Sequence, residues 1–296
     1  MLSAMSRAFV VGRLATALIA FGALVCSARP ARAAGSATPA PPAVIYMWYA
    51  DGGPAPSESA CAGKTPPGYT CTFGADVDSC KRQVQDYLDR WYADLNVVFT
   101  HTRPTEGQYF TVVVTSAGGD WCNPKYDQRV GGVAPISCQQ VLGNGTCYAF
   151  QCGHDAKTCA TIIAQEQAHL VGLEHTASPA DAMYVYVSGT SDGFENREDP
   201  IAGTVCNRIT QNSFQSMRLH LGAWQGGPKP DPFLDIVKGT LPVSAYPGEL
   251  QGSAYGCALA AGGAAAPAPA PLLALAFSFV VWALRIRRRD RRRARR

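Results

Sequence analysis

The alternation of hydrophobic and polar positions predicts helices and buried strands in the middle of the chain. Between Cys80 and Asn96, apolar residues that include Val84 and Leu88 recur at steps of three and four, the stripe of an amphipathic helix. Asp78 and Ser79 stand before this stripe and are candidate N-terminal caps. The sequence therefore predicts one face of this helix to be buried.

Short runs of β-branched and aromatic residues predict strands. These runs are Val44–Tyr49, Val97–Thr100, Tyr109–Val114 and Cys147–Phe150. The segment Trp121–Thr146 is predicted to be rich in loops, with Gly131-Gly132 and Asn144-Gly145 as turn signals. The order strand, helix, strand, strand predicts a mixed α/β layer.

A second helical pattern runs from Thr158 to Val171 and stops at Gly172, a residue suited to a left-handed C-terminal position. A last helix around Phe214 is predicted to end before Gly222. No internal repeat is present, and one compact domain over residues 44–224 accounts for these elements. Residues 225–256 lose the periodicity and are predicted to be a linker.

The N-terminal end has the pattern of a secretory signal peptide over residues 1–33. Arg7 and Arg13 precede an apolar run from Leu14 to Val25, and a small-x-small pattern ends at Ala33. An Ala/Pro-rich stretch over residues 34–43 follows and is typical of a flexible spacer. The protein is therefore predicted to be exported.

The C-terminal end, residues 257–296, is predicted to be a sorting or transmembrane segment. Gly256-Cys257 is followed by an Ala/Gly/Pro stretch, an apolar run from Leu272 to Leu284, and nine arginines among the last twelve residues. This order resembles the MYXO-CTERM sorting signal of myxobacterial surface proteins. The resemblance implies processing near Cys257 and a cell-surface protein that is either anchored in the membrane or secreted.

The charge of the body differs from that of the whole chain. Four arginines before residue 34 and nine after residue 284 make up half of the 26 basic residues, so residues 34–256 carry 13 basic against 21 acidic residues, a net charge of −8. A net negative body disfavours binding to nucleic acid. Nothing in the pattern requires self-association, and a monomer is expected.

Nine cysteines lie in the body, which is typical of a disulfide-rich domain folded in an oxidising compartment. Because nine is odd, at least one cysteine must be free or pair outside the body. The spacing contains no paired C-x-x-C motifs of a zinc ribbon. The pairing of the cysteines stays open.

The candidate chemistry lies in the second helix and just after it. Gln165 and His169 are four residues apart and share a face, and Glu166 is adjacent. Gly172 breaks the helix and allows His175 to return to the same point in space. Such spacing can bring three side chains around one tetrahedral zinc ion and leave a position open for water, with Glu166 placed to act as a general base.

These residues resemble the metzincin signature H-E-x-x-H-x-x-G-x-x-H with its downstream methionine turn, here represented by Met183. The resemblance implies a zincin-like α/β (α+β) fold with a mixed sheet, an active-site helix and a C-terminal subdomain after the glycine turn. It also implies a Zn²⁺ cofactor, a peptidase reaction on a protein or peptide substrate, and Met183 as the floor of the site.

Two positions depart from the metzincin pattern. Gln165 replaces the first histidine ligand, and an amide oxygen is neutral and a weaker zinc donor than imidazole. Tyr186 stands three residues after Met183 rather than two, so it is only a candidate stabiliser of the oxyanion. His101, His154 and His220 lie elsewhere in the sequence. Two functions follow: a zinc metalloendopeptidase, or an inactive binding or adhesion module on the same fold.

Overall fold

The computed structural model describes residues 40–138, 141–203 and 205–234, and the backbone of residues 255–259. The predicted signal peptide, most of the spacer, most of the linker and nearly all of the predicted sorting segment lie outside these residues. Among the residues that are described, none of the helices has the length and apolar character needed to span a bilayer.

The fold is mixed α/β, as predicted, and is built on a mostly parallel five-stranded sheet. Its strands are β1 (Ala43–Tyr49), β2 (Val97–Thr100), β3 (Phe110–Val114), β4 (Val130–Ala134) and β5 (Thr146–Ala149), in the spatial order β2-β1-β3-β5-β4. The first four in this order are parallel, and β4 runs antiparallel to β5. The central strands are buried on both faces, which explains their continuous apolar sequences.

Two further strands extend this sheet beyond β4. They are β6 (Tyr186–Val187) and β9 (Tyr255–Leu259), while β7 (Asp199–Pro200) and β8 (Thr210–Gln211) form a separate two-stranded ladder. β9 lies between β4 and β6, antiparallel to β4 and parallel to β6. A segment near the C-terminus of the chain therefore closes the edge that β4 would otherwise present.

Three α-helices are α1 (Val77–Trp91), α2 (Ala156–Leu170) and α3 (Ser213–Leu221), and a short 3₁₀ helix spans Gly119–Trp121. The apolar stripe of α1 packs against α2 in the main core, as its pattern predicts. The other face of the sheet is covered by loops whose residues surround Tyr148 and Phe150.

The N-cap of α1 is Asp76, two residues before the predicted Asp78, although the predicted Ser79 does take part in the cap. Asp76 is the N-cap and accepts a hydrogen bond from the backbone N–H of Ser79, whose hydroxyl in turn accepts from the N–H of Asp76. This reciprocal capping box starts the helix earlier, so Asp78 lies inside the first turn, where its charge favours the helix dipole.

The prediction of Gly131-Gly132 as a turn is also wrong, because both residues belong to β4. A Cβ atom on Gly132 would lie 2.5 Å from Oε1 of Glu166 and 2.6 Å from the carbonyl oxygen of Tyr148. Glycine is needed here so that a helix side chain can approach the strand backbone, not because the chain reverses. Asn144, by contrast, adopts a left-handed turn conformation with φ of 57°.

Four disulfides confirm the expected disulfide-rich domain. They are Cys61–Cys122, Cys71–Cys80, Cys138–Cys206 and Cys152–Cys159. The ninth body cysteine, Cys147, is buried in β5 and bonds to none of the described cysteines. Disulfides of this number are typical of proteins that fold in an oxidising compartment.

Candidate metal centre

Helix α2 holds the first candidate residues in the interior of the protein. Asp155 caps its N-terminus by accepting a hydrogen bond from the backbone N–H of Thr158 at 2.6 Å. Gln165, Glu166 and His169 are all fully buried. A helix that is buried on nearly every side cannot rotate without disrupting the core, so these three side chains have fixed directions.

The turn after α2 returns the chain as the sequence predicts. Gly172 has a φ of 90°, and the backbone N–H groups of Gly172 and Leu173 donate to the carbonyl oxygens of His169 and Ala168. This is the left-handed exit that glycine permits at low cost. It brings His175 back to α2, where Nε2 of His169 and Nε2 of His175 lie 3.1 Å apart.

Both imidazoles are neutral near pH 7, which is the form that binds a metal ion. Desolvation lowers the pKa of His169 to about 4, against a smaller opposing effect of its hydrogen bond to the carbonyl oxygen of Leu173. Desolvation, with a contribution from His169, lowers the pKa of His175 to about 3. Nδ1 of His169 lies 2.7 Å from the carbonyl oxygen of Leu173, so Nδ1 carries the proton and donates this hydrogen bond. The lone pair of Nε2 is then available to bind a metal ion.

The distance between the two imidazoles fits one zinc ion. Two nitrogen atoms on a tetrahedral zinc, each at roughly 2.0–2.1 Å, are about 3.4 Å apart. The observed separation of 3.1 Å between the Nε2 atoms is close to this value.

Gln165 offers a third donor atom. Its Nε2 donates to the carbonyl oxygen of Tyr184 at 2.6 Å, which fixes the amide plane. Its Oε1 is buried and has no hydrogen-bond partner among the described residues. A buried carbonyl oxygen without a partner costs free energy, and a metal ion or water at this oxygen would remove that cost.

Glu166 lies on the sheet side of α2, against β4. Its carboxylate fills the space that a Cβ atom on Gly132 of β4 would occupy. It is also close to Cys147 of β5. Burial raises the pKa of the Cys147 thiol, and the nearby negative charge of Glu166 raises this pKa further. The carboxylate is therefore held close to the backbone of β4 and to the thiol of Cys147.

The turn that contains Met183 lies next to these residues. Met183 is fully buried, its backbone N–H donates to Oδ1 of Asp181, and its carbonyl oxygen accepts from Thr176. Because Thr176 follows His175 directly, this hydrogen bond joins the turn to the second imidazole. Tyr186 is 44% exposed, and its ring contacts that of Tyr184.

In the described part of the chain, the other histidines do not join this pair. His101 stacks on Phe233 with a centroid distance of 4.1 Å, and His154 is exposed. Among the described residues, no third histidine, cysteine or carboxylate places a ligand atom within 4.8 Å of both Nε2 atoms. A metal at this pair would thus take its third protein donor from the amide of Gln165 or remain open to water.

Sequence reasoning missed the residues that hold His175 in place. Glu174 is buried, and its Oε1 accepts hydrogen bonds from the backbone N–H groups of Val205 and Cys206. Gln211 accepts from the N–H of Glu174 and donates to its carbonyl oxygen. Glu174 carries no signal in the sequence beyond its place before a histidine, because its partners are more than thirty residues away.

A separate acidic cluster could hold a metal ion. Ligand oxygens of Asp181, Glu195 and Asp199 lie within 4.8 Å of one another, and Asp181 and Asp199 are buried. Arg197 pairs with both Glu195 and Asp199 and supplies one positive charge to the same cluster. The nature of any ion at this cluster is open.

No protein-family model matches the chain, and no curated protein matches it.

Proposed function

We propose that the protein is a zinc-dependent metalloendopeptidase, a hydrolase that acts on peptide bonds at the cell surface. The observation that carries the proposal is the convergence of two neutral, buried imidazoles to 3.1 Å, one helical turn from a buried amide oxygen that has no hydrogen-bond partner among the described residues. Such a donor set suits a zinc ion with an open position. The metzincin resemblance of the same residues supports the assignment.

His169, His175 and, more weakly, Gln165 would hold the zinc ion. Bound zinc supplies Lewis-acid polarisation of a peptide carbonyl and of a water molecule. Glu166 would accept a proton from the attacking water and deliver it to the leaving amine. Its position against Gly132 sets that carboxylate beside β4, whose outer edge could pair with an extended peptide when β9 does not occupy it.

The same proposal places the protein outside the cell. The four disulfides suit an oxidising compartment, and the predicted signal peptide and sorting segment supply the route. Gln165 is the feature that favours the alternative, a catalytically inactive binding or adhesion module, because it weakens the donor set relative to three imidazoles.

The Glu166→Gln variant tests the mechanism. The amide keeps the size of the side chain beside Gly132 but cannot accept the proton, so we expect cleavage of a denatured protein substrate to fall by a factor of about 10²–10⁴. Zinc content, measured by elemental analysis of the purified chain, should stay unchanged. Exposed Glu58 provides the matched control, and Glu58→Gln should cleave like the parent.

The outcomes separate the two functions. If the parent and an Ala258→Pro variant, which weakens the pairing of β9, each bind one zinc ion per chain but cleave no denatured protein, the binding module is the correct function. If Glu166→Gln cleaves as fast as the parent, the proposed mechanism is wrong even though the enzyme is active.

A further inference from the structure

The outer edge of β4 is already occupied by the chain itself. Residues 255–259 form β9, which pairs antiparallel with β4 so that Ala134 lies opposite Tyr255 and Gly132 lies opposite Cys257. The register shifts by one residue between Gly132 and Val130, and Val130 then lies opposite Ala258. The pairing thus runs from one end of β4 to the other, with Gly131 at the irregularity.

The pairing is centred on the residue that contacts Glu166. Gly132 is the position where a Cβ atom would collide with the Glu166 carboxylate, and the backbone of Cys257 lies directly across from it. The second edge of β9 is paired as well, because Tyr186 and Val187 of β6 lie opposite Ala258 and Leu259 in parallel register. Residues 255–259 are therefore held between β4 and the strand that follows the Met183 turn.

An edge strand beside a catalytic carboxylate is a surface on which a peptide adds as a further strand. Backbone hydrogen bonds supply the affinity in this mode, so any extended segment can compete for the edge. A segment of the same chain competes at an effective concentration that a dilute free peptide does not reach. Occupation of β4 by β9 must therefore exclude other peptides from this edge.

We propose that residues 255–259 are an intramolecular inhibitor that occupies the peptide-binding edge of β4. This inference rests on the proposed peptidase function. The segment keeps added peptides from the edge beside Glu166 until it is displaced or removed.

A register-specific cross-link tests the docking in the full chain, independently of catalysis. In a Cys257→Ser background, Val130→Cys combined with Ala258→Cys places two thiols at directly opposed positions, where Cα atoms are about 4.5–5.5 Å apart, within disulfide range. We expect this pair to oxidise to an intrachain disulfide, detected by peptide mass spectrometry. Val130→Cys combined with Tyr255→Cys is the control, because three residues of strand add about 10 Å.

A proline in β9 tests the inhibition. Ala258→Pro removes a backbone donor and should release the segment, whereas Ala265→Pro lies outside β9 and serves as the control. In a Glu166→Gln background, we expect a fluorescein-labelled peptide of residues 253–261 to bind the Ala258→Pro chain about tenfold more tightly than the Ala265→Pro chain. With Glu166 present, hydrolysis of a denatured protein should rise by a similar factor.

The proposal that residues 255–259 are an inhibitor would be wrong if the two proline variants bound the peptide with equal affinity. It would also be wrong if the two cysteine pairs cross-linked equally. If the cross-link forms and peptide affinity rises but no variant hydrolyses protein, the docking of β9 is supported and the proposed peptidase function fails. The two failures are therefore distinguishable.

Discussion

At the scale of single residues, the site differs from a three-histidine zinc centre at Gln165. The amide is held by the carbonyl oxygen of Tyr184, so its oxygen and not its nitrogen is available as a donor. A neutral oxygen donor binds zinc less tightly than imidazole does. The arrangement therefore predicts a zinc affinity below that of the three-histidine version of the same site.

We expect Gln165→His to tighten zinc binding by about tenfold or more, since an imidazole replaces an amide oxygen. Competition with a chromophoric chelator would measure the affinity. Exposed Gln215→His is the control, since Gln215 lies on α3 and contacts Asn196. Unchanged affinity in Gln165→His would mean that this position does not face the metal.

Asp181 predicts a pH dependence of stability. Burial raises its pKa to about 6, with smaller increases from Asp199 and Glu195, while hydrogen bonds from Met183 and Ser213 lower it. Because the folded-state pKa exceeds the ordinary value of about 3.9, the contribution of Asp181 to stability is complete below about pH 4. It is lost as the pH rises through about 6.

We therefore expect Asp181→Asn to gain about 2–3 kcal/mol of stability relative to the parent between pH 4 and pH 7. Asparagine keeps an oxygen that can accept from the Met183 N–H. Urea unfolding in the presence of a chelator would measure the difference, with exposed Asp120→Asn as the control. Parallel stability curves for Asp181→Asn and the parent would contradict this.

At the scale of elements, the site depends on how closely α2 approaches β4. We expect Gly132→Ala to impair both folding stability and cleavage, because the added Cβ would lie 2.5 Å from Glu166 and 2.6 Å from a backbone oxygen that cannot move away. A loss of about 1–3 kcal/mol in the free energy of unfolding is expected.

Gly68→Ala is the matched control for Gly132→Ala, since the nearest atom to its added Cβ is a backbone oxygen at an ordinary 3.8 Å. Chemical denaturation and the cleavage assay would be compared for both variants. Wild-type stability of Gly132→Ala would show that α2 and β4 can move apart.

At the scale of the whole molecule, the Cys138–Cys206 disulfide joins the segment after β4 to the loop that binds Glu174. Arg208 reinforces this connection by donating to the carbonyl oxygens of Cys138 and Gly172. The disulfide closes a sequence separation of 68 residues, against 9 for Cys71–Cys80. Cross-links that close longer loops restrict the unfolded chain more.

We expect the double variant Cys138→Ser/Cys206→Ser to lose about 2 kcal/mol more unfolding free energy than Cys71→Ser/Cys80→Ser. It should also bind zinc less tightly, because Glu174 precedes His175 and is held by the loop that contains Cys206. Urea unfolding and zinc competition would measure both. Equal losses in the two variants would contradict the role of loop length.

Residues 225–234 pack against the domain through contacts that their composition does not predict. Lys229 donates to the carbonyl oxygens of Tyr92 and Leu95, and Phe233 stacks on His101. Together with α1 they line a cavity of about 530 Å³. These residues pack against the domain, although their sequence has no periodicity.

The sequence by itself determined the elements whose information is local. The periodicity of α1, the apolar runs of β1 to β3, and the spacing of Glu166, His169, Gly172 and His175 all act within a few residues, so the pattern predicts them. The odd number of body cysteines likewise required one without a partner in the body, and Cys147 is that residue among those described.

Only the tertiary structure decided the features that depend on distant residues. Gly131-Gly132 belongs to β4 because this segment pairs with β5, and glycine is needed at 132 because Glu166, more than thirty residues later, approaches it. Residues 255–259 joined the sheet because β4 offers an edge to pair with. The disulfide pairing and the acidic cluster around Asp181 have the same origin. Contacts between segments far apart in sequence leave no periodic pattern along the chain, so the sequence alone does not reveal them.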